Sequence, residues 1–360
     1  MNFITFTEEK LRTFTHAVFI KMGCSEEHAA LATDVLVKSD LRGIDSHGVA
    51  RLSGYVRLWE KKRINATPNI RIVHETPTTA TIDGDAGLGL VVAPFAMKVA
   101  IEKAEKYGSG WVSVKNSNHF GIAGYHSLLA VEKDMIGISM TNASPLVAPT
   151  YANERLLGTN PMCYGFPAGK YPPVIVDMAT AAAANGKLEI AQRANKAVPE
   201  GWIQDKDGNS SINPNELKSG GALLPLGSDK DHGSHKGYGL SATVDILSAV
   251  LSGANYGPWV PPFVAFLEPS ANPVGEGLGH FFGAMRVDGF RPAQDFKDHL
   301  DNWIERFKSA KTIDPNKKVI IPGEPEHAFE QERKVSGIPI IDVVVNDLNE
   351  LAVRLGIEGL

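Results

Sequence analysis

The sequence predicts an α/β protein in which a central α/β domain is clasped by a helical domain built from both ends of the chain. Three observations carry this prediction. Apolar residues recur at helical spacing near both termini. From about Ile70 the pattern changes to short apolar strands alternating with helices. Glycine, proline, asparagine and serine gather at 142–145, 158–161, 207–221 and 269–279, which read as loops, and no repeat or low-complexity linker interrupts the chain. On this reading residues 1–75 and 300–360 form the helical domain, and 76–299 form the α/β domain.

The elements follow in order. Ser25 is placed to cap a helix through "EEHAALATDVLVKSD", where Ala29, Ala32, Val35 and Leu36 share a face, and Gly43 is placed to end it. Ser46 reads as the N-cap of a second helix with the apolar stripe Val49, Leu52, Val56 and Trp59. "TTATIDGDAG" reads as strand and turn, and "APFAMKVAIEKAEKYG" as a helix ending at glycine. "GWVSVKN", "IGISMTN" and "PVIVDMA" read as short buried strands, with helices between the first two and after the third. "LLGTNPMCYGFP" reads as a loop. "GYGLSATVDILSAVLSG" is a long, mostly apolar helix, "GAMRVDGF" a strand, "DFKDHLDNWIERFKSA" an amphipathic helix and "NDLNELAVRLG" a final helix.

With 360 residues, 43% of them hydrophobic and 21% charged, the chain has the composition of a soluble globular protein with room for two or three domains. A net charge of −5 shows no basic excess, which argues against nucleic acid or an anionic membrane as partner. The first twenty residues lack the apolar core of a signal peptide. No apolar run reaches the roughly 18 residues of a spanning helix. The two cysteines, Cys24 and Cys163, lie far apart without metal-type spacing, which fits a reduced, cytoplasmic protein.

The stretch "DLRGIDSHGVARL", Asp40 to Leu52, carries the sharpest chemistry. If Ser46 caps a helix, His47 lies in its first turn and Arg51 one turn further on the same face. Free N–H groups, the positive end of the helix dipole and a guanidinium fork would then suit a small carboxylate. The dipole would also keep His47 neutral as a base, with Asp45 opposing. A polar helix start bearing a surface arginine fits the same spacing. "VKNSNHFGIAGYH" places Asn116, Ser117, Asn118 and His119 after a buried strand, where α/β sheets bind ligands, although asparagine and serine also form turns there. Asp177 and Thr180 fall at the end of "VIVD", followed by small residues that admit a cofactor or start a capped helix.

"SDKDHGSHKGYGLSA" offers Asp229, Asp231, His232 and His235 as metal ligands, without any HExxH or CxxC beside them. Gly237 to Ala242 matches the dinucleotide pattern GxGxxA. No apolar strand precedes it and no acidic residue follows about 20 residues later, so a standard Rossmann site is not expected. Lys236 at this helix start is a good phosphate ligand. "IIPGEPE" puts Gly323 and Glu324 in a tight turn.

Taken together, "DLRGIDSHGVARL", "NSNHFGIAGYH", "LLGTNPMCYGFP", "VDMATAA", "HKGYGL" and "IPGE", in this order, resemble the malate/L-lactate (L-sulfolactate) dehydrogenases. These are NAD(P)-dependent oxidoreductases unrelated to the Rossmann-type lactate and malate dehydrogenases. The resemblance runs over nearly the whole chain. It implies a non-Rossmann α/β cofactor domain and a homodimer, with His47 as the acid/base group beside Ser46. It also implies Arg51 on the substrate carboxylate, with His119 matching a second histidine that some members are thought to use for proton transfer. Asn118 and Thr159 are expected at the substrate. Ser144, Asp177, Met178, Ala179, Thr180, Lys236, Gly237, Pro322, Gly323 and Glu324 are expected at the dinucleotide. The expected activity is hydride transfer between nicotinamide and C2 of a 2-hydroxy or 2-oxo acid, malate first, using NAD or alternatively NADP and no metal. The alternatives are a reductase of a cyclic imino acid or a sugar-derived keto acid, or a metal-dependent hydrolase using Asp229, His232 and His235.

Overall fold

The computed structural model describes residues 2–360, apart from the side chain of Arg193. The chain opens with β1 (Phe3–Phe6), α1 (Glu8–Lys21) and α2 (Glu26–Leu41). Two short 3-10 turns, Asp45–His47 and Val49–Arg51, lead into α3 (Leu52–Glu60). Then come β2 (Arg71–Glu75), β3 (Thr79–Asp83), α4 (Gly89–Tyr107), β4 (Ser109–Ser117), α5 (Ala123–Val131) and β5 (Met135–Thr141). β6 (Met162–Phe166), β7 (Val174–Met178) and α6 (Asn185–Arg193) precede three two-residue strands, β8 (Ile203–Gln204), β9 (Ser210–Ser211) and β10 (Ala222–Leu223). α7 (Ser234–Asp245) continues as a π-helical turn, Ile246–Val250. The chain ends with β11 (Leu278–Arg286), α8 (Ala293–Lys308), α9 (Glu324–Ser336), β12 (Ile338–Ile341) and α10 (Asp342–Leu355).

Local chemistry sets several of these boundaries. The Ser25 side chain accepts from the His28 N–H and so starts α2. Gly43, at φ +75°, takes the left-handed position that lets the chain leave that helix. α4 likewise stops at Gly108, φ +91°, as its glycine predicts.

The main sheet has seven strands in the order β2-β3-β4-β11-β5-β6-β7. β3 and β4 pair parallel, and every other neighbouring pair is antiparallel. Alternating strands and helices normally signal a parallel sheet. Here β11, from late in the chain, sits between β4 and β5 and runs against both. β4, α5 and β5 therefore make a crossover with a foreign strand filling its middle. α4 and α5 pack against the sheet, burying Val112, Val114, Phe120, Cys163 and Phe282 among their apolar residues. A second cluster, with Ile138, Met140, Val244 and Phe281, lies under α7.

A separate large core joins α1, α2, α3 and α10 and includes Phe14, Phe19, Leu36, Tyr55 and Leu348. β1 and β12 pair antiparallel at its edge, tying the two ends of the chain together. β8, β9 and β10 form a small sheet whose apolar residues pack with α6 through Leu188, Ile203 and Leu223. The fold is mixed α/β. Cys24 and Cys163 are both buried and unpaired. Among the described residues no helix is long and apolar enough to cross a membrane.

Three sequence expectations need correction. Ser46 caps no α-helix: the segment folds as two 3-10 turns, and α3 starts only at Leu52. The cause is Asp40, whose buried carboxylate accepts the Val49 N–H at 2.8 Å and pulls the backbone into a bend. β6 occupies the middle of what reads as a loop, because "MCYGF" carries no clear alternation and is held by pairing on both edges. The strand read at "GAMRVDGF" is β11, which begins at Leu278, while Val287–Gly289 is a 3-10 turn.

Candidate active site

A cleft of about 330 Å³ opens where the 3-10 turns, the segment before α5, the β5–β6 connection, the end of β7 and the start of α6 converge. The bend that delivers His47 depends on Gly48, since a Cβ there would run into the Asp40 carboxylate. Burial raises the Asp40 carboxyl pKa well above its ordinary value, with the Val49 N–H opposing.

His47, Arg51 and His119 share this cleft. The His47 and His119 rings stack with centroids 5.6 Å apart. Ser46 Oγ lies 2.8 Å from His47 Nδ1. Loss of water lowers the His47 pKa to about 4, and the Arg51 charge acts in the same direction. The neutral state expected of His47 therefore comes from burial and not from a helix dipole. His119 is driven well below its ordinary value by burial, then by His47 and Arg51. Arg51 Nε donates to the Ser46 carbonyl at 2.5 Å, and Nη2 lies 3.9 Å from Glu189. Its Nε is thus held by backbone, and the side chain lines the cleft.

Behind this pair stands Tyr55, fully buried, with its hydroxyl 2.6 Å from His119 Nδ1. Phe263 packs edge-on to Tyr55 at 5.2 Å and against His119 at 4.7 Å. The opposite wall carries Ser144, Thr159, Asp177, Met178 and Ala179, all at the cleft as the sequence places them. Asp177 faces the opening with protein around its other sides. Its pKa rises to about 6 through burial, although the Gly124 N–H donates to it at 2.7 Å and the Arg42 charge also lowers it.

Other expected residues lie elsewhere. Asn118 is buried and donates to the Ala86 and Gly87 carbonyls, so its amide holds backbone together. The Thr180 hydroxyl donates to the Thr159 and Asn160 carbonyls behind the wall. Lys236 is exposed in the first turn of α7, and Gly237 packs against the Leu226 backbone. The Pro322 carbonyl accepts the Ile175 N–H, Gly323 turns at φ +89°, and Glu324 pairs with Lys308. Asp229 and His232 pair with each other on the surface, and His235 Nδ1 lies 3.2 Å from Lys230. Among the described residues no group of three His, Cys, Asp or Glu is arranged to hold a metal, so the hydrolase alternative lacks a ligand set.

The family model for malate/L-lactate dehydrogenase matches residues 6–349. The chain belongs to the malate/L-lactate dehydrogenase family. It is 44% identical over 360 residues to the malate dehydrogenase of Pyrococcus horikoshii, covering 100% of this chain and 98% of that one. It is 40% identical over 350 residues to the malate/(S)-sulfolactate dehydrogenase of Methanothermus fervidus, covering 97% and 98%. The solved structure of the malate dehydrogenase from Pyrococcus horikoshii OT3 superposes with a TM-score of 0.91 at 42% identity, covering 100% of this chain and 97% of that one.

For a dehydrogenase of this family the sequence reading omits several cleft residues. Tyr55 follows Arg51 by four positions, as Arg51 follows His47, so that periodicity was available as a signal. Phe263 and Glu326 also reach the cleft, and Glu189 approaches Arg51 from outside it. They come from a proline-rich loop and from helices whose local sequence carries no mark of the site.

Proposed function

We propose that the protein is an NAD-dependent 2-hydroxyacid dehydrogenase with malate as its first substrate. The observation that carries this is the convergence of His47, His119 and Arg51 on one small cleft within this family's fold. Malate is chosen because the Pyrococcus horikoshii relative carries that activity in its name.

The cleft fits a nicotinamide beside a small acid. Ala143, Ala179, Ala184 and Gly186 line it, leaving room for a flat ring, and its volume falls in the small-molecule range. Among the described residues Arg51 is the only lysine or arginine lining it, against the carboxylates of Asp177 and Glu326. That balance favours ribose hydroxyls over a further phosphate, and hence NAD over NADP. When bound, the cofactor exchanges a hydride with the substrate carbon. Arg51 holds the C1 carboxylate through its guanidinium, which fixes C2 in place. His47 takes the C2 hydroxyl proton in oxidation and returns it in reduction.

A homodimer is supported by the exposed apolar face that Ile246, Val250 and Leu251 present just after α7. Lys236, exposed in the first turn of the same helix, would then meet the dinucleotide of a second copy, and Thr180 would act by backing the cleft wall. The two buried, unpaired cysteines fit a reduced, cytoplasmic compartment.

Mixing the protein with reduced nicotinamide cofactor and a panel of 2-oxo acids, cyclic imines and sugar-derived keto acids tests the reading. Absorbance should fall fastest with oxaloacetate, and EDTA should leave the rate unchanged. Turnover of the cyclic imine alone would replace malate. No turnover of any of them would overturn the assignment.

A further inference from the structure

The mechanism leaves one fully buried polar group at the cleft without a role, the hydroxyl of Tyr55. It lies 2.6 Å from His119 Nδ1, and no other acceptor lies within hydrogen-bond distance of it among the described residues. The Gly121 N–H also points at His119 Nδ1, at 3.4 Å. A backbone N–H can only donate, so that nitrogen acts as acceptor. A proton on Nδ1 would oppose the Gly121 N–H and leave the Tyr55 hydroxyl hydrogen without an acceptor in a dry pocket, which is costly. Both contacts therefore select the same form of the ring. The Nε2 edge of His119 has no protein partner among the described residues, and the ring lines the cleft.

We propose that Tyr55 is a positioning residue that fixes His119 with its proton on Nε2, so that the ring donates a hydrogen bond to the oxygen on substrate C2. The proposal rests on reading the cleft as a 2-hydroxyacid site. It divides the work between two stacked histidines. His47 moves a proton, whereas His119 keeps its own and polarises the C2 carbonyl as a neutral donor. Desolvation, which keeps His119 neutral, and the Tyr55 hydroxyl, which sets its tautomer, act together. Phe263, packed on both rings, holds the Tyr55–His119 pair in register.

The test uses the full chain with nitrogen-15-labelled histidine, with His119→Asn to assign the His119 signals. NMR of the unsubstituted protein should show His119 Nδ1 unprotonated and Nε2 protonated near neutral pH. Tyr55→Phe removes only the hydroxyl. It should let the tautomers mix and lower kcat for 2-oxo acid reduction roughly ten- to a hundredfold, with KM and cofactor affinity little changed. A purely structural Tyr55 would lower the melting temperature and leave the tautomer alone. Nδ1 protonation in the unsubstituted protein overturns the proposal, as does a Tyr55→Phe variant with unchanged tautomer and kcat. If Tyr55→Phe does not fold, the spectrum of the unsubstituted protein decides alone. If the unsubstituted protein turns over no 2-oxo acid, the cleft reading fails, while the same spectrum still decides what Tyr55 does to His119.

Discussion

Two pairs of histidines in this molecule differ in exposure, the first half-buried and the second fully buried, and in what their nitrogens face. His47 and His119 stack in the cleft, and His126 and His280 lie inside the sheet core on either side of Phe120. All four have pKa values lowered chiefly by loss of water. His280 is matched on both sides, with Nδ1 2.7 Å from Thr141 Oγ1 and Nε2 2.7 Å from Ser117 Oγ. His126 donates from Nε2 to the Phe120 carbonyl and leaves Nδ1 buried without a partner among the described residues. In the cleft pair one nitrogen is held by a hydroxyl and the other is left for a ligand. A lowered pKa therefore marks burial, and an unmatched nitrogen at an opening marks the site.

That contrast predicts distinct losses. The largest belongs to His47→Asn, expected to lower kcat roughly 10²–10⁴-fold with cofactor binding intact. Steady-state rates beside a fluorescence titration check it, and a variant with near-normal kcat would remove His47 from proton transfer. In the free protein His47 is neutral above about pH 4. The acid limb of kcat/KM for oxidation should thus sit well below the ordinary histidine range. His280→Asn should reverse the pattern, costing about 1–3 kcal/mol of stability by stranding a buried hydroxyl while kcat stays near normal. Urea unfolding with parallel kinetics measures both, and a kcat loss as deep as that of His47→Asn would break the comparison.

Arg51→Lys keeps the charge and loses the fork, so KM for the 2-oxo acid should rise about tenfold, the scale of one charged hydrogen bond. An equal loss of cofactor affinity would move Arg51 out of the substrate site. A change confined to acid conditions concerns stability. A histidine whose folded pKa lies below its unfolded value binds its proton more readily when unfolded. Its stabilisation is complete above about pH 6.5 and is lost as pH falls toward about 4, at about 1.4 kcal/mol per pH unit. His126→Gln should make that slope shallower by this amount in unfolding measured at pH 6, 5 and 4.5. Equal slopes would show that His126 is already protonated in the folded state.

The sequence reading succeeded where chemistry is local. Ser25 and Gly43 announce the ends of α2, and six ordered strings point to the family. It misjudged Ser46 because the bend is imposed by Asp40 through a single carboxylate contact, which no helix-start rule contains. A lysine at a helix start, such as Lys236, reads the same in the sequence whether the helix end faces a ligand or water, so its place outside the single-chain cleft was not legible. Phe263 and Glu326 were missed because their approach to the cleft is set by packing between distant segments. The composition of the cleft wall was legible, and its closure was not.

β11 has a consequence for how the protein comes into being. His280, near its start, bonds to Ser117 and Thr141, which lie 163 and 139 residues earlier. On the ribosome, β4 and β5 emerge with an empty lane between them and wait on the order of 10 s for the strand that fills it. Throughout that wait two open edges, rich in buried valine, isoleucine and methionine, face the same gap. The hazard in making this enzyme lies in its central strand arriving late, and nascent chains stalled near residue 270 are the species a holding chaperone should recognise.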